Sequence, residues 1–491
     1  MACPVPASRF GSEACVCSSL PIYMSGRPDP QSSRTPMAQP TVRTATEKYA
    51  DLDLLADLVK KAKNAGANAT DAVMFTSETL SASQRMGIPE KVSRSENAGI
   101  GLRVISDKRQ AVVSATDLSP GALEGLVVRA IAMAKTVPED PYCGLADPEQ
   151  LTTHIPDLDL ADPVAPDADA LVERAKTLEE AALAVPGITN SEGAEAGWTR
   201  SQVAMVASNG FTGGYATTRH AVIVETLAGE GLNMERDYEH RSCVYGSDLD
   251  NMEALGRSAG ERTVRRLSPR KIATARISVV FDPRVANSLV RHLAMAANGI
   301  SIARGISFLK KKMGKRILPK DITITDDPHR PRGALSRPFD GEGLSSEKRA
   351  IVGKGVLKSW FLDLSSARQL GLAPTGHASR NTSGPPGPTA NNLYMEAGKA
   401  SPDELMSDIT MGLYVTEMMG SGLNLVTGDY SHGAGGILIE NGELTHPVSE
   451  ITIAGNIEDM FLSLGAADDL EFRYGFDAPT VRVDGMTVAG S

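Results

Sequence analysis

Ile188-Thr-Asn-Ser-Glu-Gly-Ala-Glu-Ala-Gly197, then Gln202-Val-Ala-Met-Val-Ala-Ser208, then Tyr215-Ala-Thr-Thr-Arg-His-Ala-Val-Ile-Val-Glu-Thr-Leu227 all alternate with a period of two. Extended backbone sends successive side chains to opposite faces, so a period of two marks strands with one buried face. Asn209-Gly210 between the second and third runs is a hairpin signal, because both residues accept positive φ. The three runs predict an antiparallel meander.

Upstream of the meander the period is helical. Thr44-x-x-Glu47 reads as a capping box, and Leu52, Leu55, Leu58, Val59 and Ala62 follow on one face before Asn64-Ala65-Gly66 stops the helix. Strands are expected over 72–83, from Ala98 to Val104, and over 111–114. Ser119-Pro120 opens a second helix that ends near Val137-Pro138. Residues 147–167, rich in Asp and Pro, read as a connection, and a third helix spans about 169–184.

Downstream, short strands alternate with glycine turns. Gly353-Lys354-Gly355 separates 350–352 from 356–362, and Asn441-Gly442 separates 437–440 from 443–447. The resulting fold class is α+β with two domains. An N-terminal α/β domain over 44–230 is followed, after a linking segment at 231–275, by a β-rich, antiparallel or barrel-like domain over 276–491. Residues 1–43, rich in Ser, Pro and Arg, are expected to be a disordered extension, with Met37 a possible true start.

The chain has 491 residues and a formal charge of -10, which argues against a general binder of nucleic acid. The lysine run Lys310-Lys311-Lys312 with Lys315-Arg316 reads as a solvated helix end or loop. No apolar stretch is long enough to span a bilayer, and the first 36 residues, which lack an apolar h-region, are not expected to be a secretory signal. Five cysteines, without a Cys-x-x-Cys pair, suit a reducing cytoplasm and disfavour a thiolate zinc cage.

Intact catalytic motifs are missing. None of the eight histidines forms His-Glu-x-x-His or His-Glu-x-x-x-His. His292, on a helix expected over 286–297, is followed by Leu293. In Gly428-Asp-Tyr-Ser-His-Gly433 the position two before Ser431 is Asp429, where a nucleophile elbow needs glycine. Ser431 and His432 would point to opposite faces if extended, so a tight glycine turn is the simpler reading. Ser345-Ser-Glu-Lys348 lacks the companion motifs of penicillin-recognising enzymes, and the glycine pairs at 99–101 and 341–343 complete no phosphate loop. Asp326-Asp327 and Asp468-Asp469 read as exposed turn carboxylates.

Several ordered blocks carry a resemblance. Thr427-Gly-Asp-Tyr-Ser-His-Gly-Ala-Gly-Gly436, Ile439-Glu-Asn-Gly-Glu443 and Pro447-Val-Ser-Glu-Ile-Thr-Ile-Ala-Gly-Asn456 resemble the hallmark of the TldD/PmbA family. Gly305-Ile-Ser-Phe-Leu309, Thr375-Gly-His-Ala-Ser-Arg380 and Gly99-Ile-Gly-Leu-Arg-Val104 fit it as well. The resemblance implies a two-subunit zinc protease in which a TldD-type subunit bears His-Glu-x-x-x-His and a TldE/PmbA-type subunit does not. Asn287–Ile302 stands at the metal helix with neither the Glu nor the paired His. This chain therefore resembles the metal-free branch.

The resemblance further implies no cofactor in this chain, zinc in a TldD-type partner of a heterodimer, and unfolded or leader-like peptides as substrates. Nucleic acid and membrane are not expected partners. His377, Arg380, Asp429, Ser431 and His432 are the candidates for loops lining the cleft or touching the partner. A stand-alone peptide-binding chaperone or regulator is the alternative reading, and an autonomous hydrolase using His377, Asp429 and His432 is a third.

Overall fold

The computed structural model describes residues 45–420 and 422–490, and the expected extension at 1–43 lies outside them. Residues from Ala45 onward form one compact unit. The long alternating runs make its first sheet, of order β3-β2-β1-β4-β5-β6. Its strands are β1 (Ala69–Arg85), β2 (Ile88–Ser106), β3 (Arg109–Ala115), β4 (Ile188–Ala207), β5 (Thr212–Ala228) and β6 (Glu235–Cys243).

The meander differs from its reading in one respect. Ile188–Gly197 and Gln202–Ser208 belong to a single strand, β4, whose alternation runs through Trp198, Thr199, Arg200 and Ser201 with only Trp198 buried. No turn residue breaks that stretch. Asn209-Gly210 does make the hairpin, with Gly210 at φ +102°. The segment read as a link, 231–275, carries β6 at the sheet edge and a helix, α4, that packs on the sheet.

Helices cover one face of the sheet. These are α1 (Ala45–Asn64), α2 (Pro120–Ala134), α3 (Ala168–Leu183) and α4 (Met252–Arg265). Leu55 and Leu58 of α1 and Leu126 of α2 meet Met74, Ile100, Leu102 and Val104. Leu171 and Leu178 of α3 and Leu255 of α4 meet Leu80, Trp198, Val222 and Val224. Each such side chain, fully buried, contributes about 1.5–3 kcal/mol. The opposite face is covered only in part, where Phe339 sets its ring on Phe211 at 5.0 Å and on Tyr215 at 5.4 Å.

The rest of the chain holds two further layers and a short two-strand pair, β11 (Ala378–Ser379) with β12 (Gly387–Pro388). One layer is a five-stranded sheet, β10-β9-β8-β13-β18, from β8 (Ile324–Asp327), β9 (Arg349–Gly353), β10 (Val356–Leu357), β13 (Asn392–Met395) and β18 (Phe476–Asp477). The second arm of the β9–β10 hairpin stops at Leu357, short of the expected 362. The other layer comprises β7 (Ala275–Phe281), β14 (Met411–Met419), β15 (Asp429–Glu440), β16 (Glu443–Asn456), β17 (Leu464–Ala466) and β19 (Val481–Ala489).

That last layer closes on itself, because β16 pairs with both β15 and β19. Closure abolishes free edges but demands tight curvature. Bulges interrupt β14 between Val415 and Glu417 and β15 between Ala434 and Gly436. A Cβ on Gly436 would sit 2.0 Å from the Tyr414 carbonyl. The stretch Gly428–Gly433, read as a tight turn, is thus strand from Asp429 onward; its turn is confined to Gly428 at φ +78°. Leu413, Val415, Ile451, Ile453, Val483 and Val488 fill the core of this layer together with Leu289, Val290 and Leu293 of helix α5 (Pro283–Ala296). Among the described residues, no helix is long and apolar enough to cross a membrane.

Gly101 of β2 sits against the backbone of Thr382, whose carbonyl oxygen would lie 2.4 Å from an added Cβ. Backbone cannot swing aside as a flexible side chain can. Gly101→Ala is expected to lower stability by about 1–3 kcal/mol, read as a shifted denaturation midpoint. An unchanged midpoint would mean that the loop at 382 does not bear on the sheet.

Candidate functional site

Helix α5 begins at Asp282, whose side chain accepts from the Arg284 amide at 2.9 Å, with Pro283 in the first turn. Its apolar face, Ala286, Leu289, Val290, Leu293 and Ala296, packs inward. His292 stands at the rim of that face. Strand β15 passes beside it with Tyr430 and His432 inward and Asp429 and Ser431 outward.

Three rings meet there. His292 and His432 stack with centroids 5.7 Å apart, and Tyr430 lies 5.8 Å from His292 and 4.6 Å from His432. His432 Nδ1 lies 3.1 Å from the Gly420 carbonyl, the geometry of an N–H donor, which leaves Nε2 with the lone pair. That Nε2 and His292 Nδ1 are buried and meet no hydrogen-bond partner among the described residues. Burial, with a lesser push from His432, lowers the His292 pKa to about 4. Burial also lowers that of His432. The Tyr430 hydroxyl rests on the Met418 sulfur at 3.3 Å.

A catalytic zinc takes three protein ligands and leaves a fourth position for water. The ring cluster offers two imidazoles and a phenol. Among the described residues, no three His, Cys, Asp or Glu side chains gather closely enough to hold a metal ion. This donor set does not fit a zinc centre built from the chain's own side chains. Nor do Asp429, Ser431 and His432 converge: Asp429 accepts from Thr427 Oγ1 at 2.6 Å, and Ser431 is exposed on the face away from His432.

The other two candidates lie deep in the body. His377 is fully buried, with Nδ1 at 2.8 Å from Thr375 Oγ1 and Nε2 at 3.1 Å from Asp326 Oδ2. Asp326, read as an exposed turn carboxylate, is a buried β8 residue that also accepts from the Asn391 amide at 2.7 Å. Asp469 likewise has a structural task, accepting from the Thr480 amide at 2.8 Å. Arg380 donates to Asp71 Oδ1 at 2.7 Å, and Arg103 Nε donates to Asp71 Oδ2 at 2.6 Å. Glu342 lies in the same buried region and accepts from the Leu364 amide at 2.8 Å. Burial and the neighbouring Asp340 push its carboxyl up to about 8.

One further feature has no local signature in sequence. On the sheet face without helices, Asn97, Ser77 and Ser201 stand side by side across β2, β1 and β4, followed by Ser95, Thr79 and Thr199. Ser93 and Ser81 continue the array, with hydroxyls 3.1 Å apart, as are those of Thr79 and Thr199. Ser77, Thr79, Ser81, Thr199 and Ser201 are half-buried. Small hydroxyls can donate to or accept from a peptide backbone in any register. Their alternation with buried residues was visible in sequence, but strand register alone lines them up.

Two pH effects follow. In the folded state Glu342 keeps its proton up to about 8, whereas an unfolded carboxyl gives it up near 4.5. Stability should therefore fall as pH rises through that window, and Glu342→Gln should flatten the slope in denaturant midpoints. An equal slope in wild type and variant would contradict the assignment. For His292 the sign is opposite: the folded ring refuses a proton that an unfolded one binds, so stability falls as pH drops from 6.5 towards 4. Ring-proton NMR should give a midpoint near 4; a midpoint at the ordinary histidine value would refute the burial.

Comparison with known proteins agrees along the length of the chain. Family models for the PmbA/TldA metallopeptidase match residues 71–134 as domain 1, 161–267 as the central domain and 274–490 as the C-terminal domain. Metalloprotease PmbA of Escherichia coli O157:H7 is 39% identical over 413 residues, covering 84% of this chain and 90% of that protein. A PmbA homolog of Haemophilus influenzae is 34% identical over 435 residues, covering 88% and 94%. Among solved structures, a candidate modulator of DNA gyrase from Bacteroides thetaiotaomicron superposes with TM-score 0.83 at 29% identity, covering 91% of this chain and all of that one. TldE from Thermococcus kodakarensis shares the fold, with TM-score 0.78 at 20% identity, covering 89% of this chain and 100% of that one.

Proposed function

The chain belongs to the PmbA/TldD metallopeptidase family, and on that footing we propose that it is the TldE/PmbA-type subunit of a two-part zinc metalloprotease, one that does not cut peptide bonds by itself. The observation that carries this reading is the donor set around His292. Its helix has Arg291 and Leu293 beside the one imidazole, and the second imidazole, His432, comes from β15 with no third ligand among the described residues. Without a ligand set there is no Lewis acid for a scissile carbonyl and no bound water of lowered pKa.

Zinc would then belong to a TldD-type partner, and this chain would complete an enclosed cleft. The hydroxyl array on the first sheet supports a share in that cleft. It suits an extended backbone and discriminates little among side chains, which fits unfolded or leader-like peptides. We place the pair in the cytoplasm, in keeping with Cys143 and Cys243, which are free thiols.

The test is reconstitution. The purified chain, a TldD-type subunit and their mixture are each given an unstructured peptide, and zinc is counted in each. The chain alone should leave the peptide intact and hold far less than one zinc, and the mixture should cleave it in a chelator-sensitive way. Chelator-sensitive cleavage by the lone chain would overturn the proposal. Peptide binding by the lone chain, with no cleavage by the mixture, would favour the chaperone reading.

A further inference from the structure

The charge of this protein is unevenly placed. Residues 304–320 and 354–358 together hold nine Lys or Arg and no Asp or Glu. The whole chain carries -10, so removing this +9 leaves everything else at -19. The two segments lie side by side. The Gly314 amide donates to the Leu357 carbonyl at 2.9 Å, Leu357 returns a bond to Lys315 at 3.0 Å, and Ile317 donates to Gly355 at 2.8 Å. The Arg316 guanidinium donates to the Lys354 carbonyl at 3.3 Å, which draws the two cationic strips into one face.

Arg304, Lys310, Lys311, Lys315, Arg316, Lys320, Lys354 and Lys358 are all exposed. Among the described residues only Lys312 of the nine has a carboxylate partner, Glu458. Asp321 is the one acidic residue adjoining the strips in sequence. Like charges this close repel one another and oppose folding, so the patch brings the fold no electrostatic gain. Lys310 also has a local role, donating to the Gly305 carbonyl at 2.9 Å.

We propose that this cationic face binds an acidic, extended polypeptide segment. Exposed apolar side chains, Ile306 and Met313, stand among the cations, and no aromatic ring in either strip is exposed to stack on a base. That mixture suits a peptide better than single-stranded nucleic acid, which binds through aromatic platforms. Lysine outnumbers arginine, as befits loose neutralisation of carboxylates more than bidentate capture of phosphates. The strongly acidic remainder of the chain would also repel a long polyanion running beyond the patch. The first strip is tied to the loop before β15, because the Phe308 amide donates to the Leu425 carbonyl at 2.9 Å. The inference names a ligand chemistry for this chain alone and does not need the catalytic partner.

The test measures anisotropy of short labelled peptides, one rich in Asp and Glu, one neutral and one rich in Lys, with an oligonucleotide of equal length beside them. The full-length chain should bind the acidic peptide tightest, and rising salt should weaken that binding. The triple variant K311E/K315E/K320E should lose about tenfold or more in affinity, and a control triple elsewhere, K60E/K91E/K399E, should lose almost nothing. The patch variant should melt no earlier than wild type, since it relieves repulsion. Equal binding of acidic and neutral peptides, indifference to the patch variant, or tighter binding of the oligonucleotide would each overturn the proposal. Reconstituted cleavage with a TldD-type subunit reports separately on the subunit role.

Discussion

A single buried carboxylate ties the first sheet to the rest of the molecule. Asp71 of β1 has no exposed surface and accepts from Arg103 on the adjacent strand and Arg380 from a loop more than 300 residues later. Either arginine alone would balance its charge; the two together leave a net cation, and Glu342 lies close enough to act on both once it gives up its proton. Burying such charges is tolerable only when every one is paired, and losing one partner costs about 3–5 kcal/mol. Close backbone packing at Gly101 and Thr382 reinforces the same junction. Sheet, loop and glycine are therefore one constraint, and the partly covered sheet face inherits its geometry from it.

The chemistry near β15 follows from a second constraint, the tight curvature of a closed layer. Gly436 lets β15 approach β14 where a side chain would clash with the Tyr414 backbone. Strand alternation then forces Tyr430 and His432 inward and Asp429 and Ser431 outward. A catalytic relay among these neighbours in sequence is sterically closed off. The imidazoles are left against each other in an apolar setting that favours their neutral forms.

Much of the architecture was legible in the residues. The hairpin at Asn209-Gly210, the one at Asn441-Gly442, the helix around His292 and the β-rich second half all rest on local propensity and period. The division of β4 into two strands was a misreading, because Trp198 to Ser201 continue the alternation without a turn residue. The glycine run of β15 misled for a different reason: glycine marks both turns and places where backbones touch, and only the partner strand distinguishes them. Asp326 looked like a turn residue beside Asp327, yet its partners His377 and Asn391 lie more than 50 residues away.

By itself the sequence determined the composition of each face, the glycines where backbone must bend or touch, the family to which its ordered blocks belong, and that none of its eight histidines is followed by Glu. These depend on residue identity and on neighbours within a turn or two. Only the tertiary structure decided that His377 and Arg380 hold the interior together, that His292 meets His432, that hydroxyls from three strands align, and that two distant lysine strips share one surface. Each of those pairs residues far apart in the chain, and their meeting depends on strand register and layer packing, which no local pattern encodes.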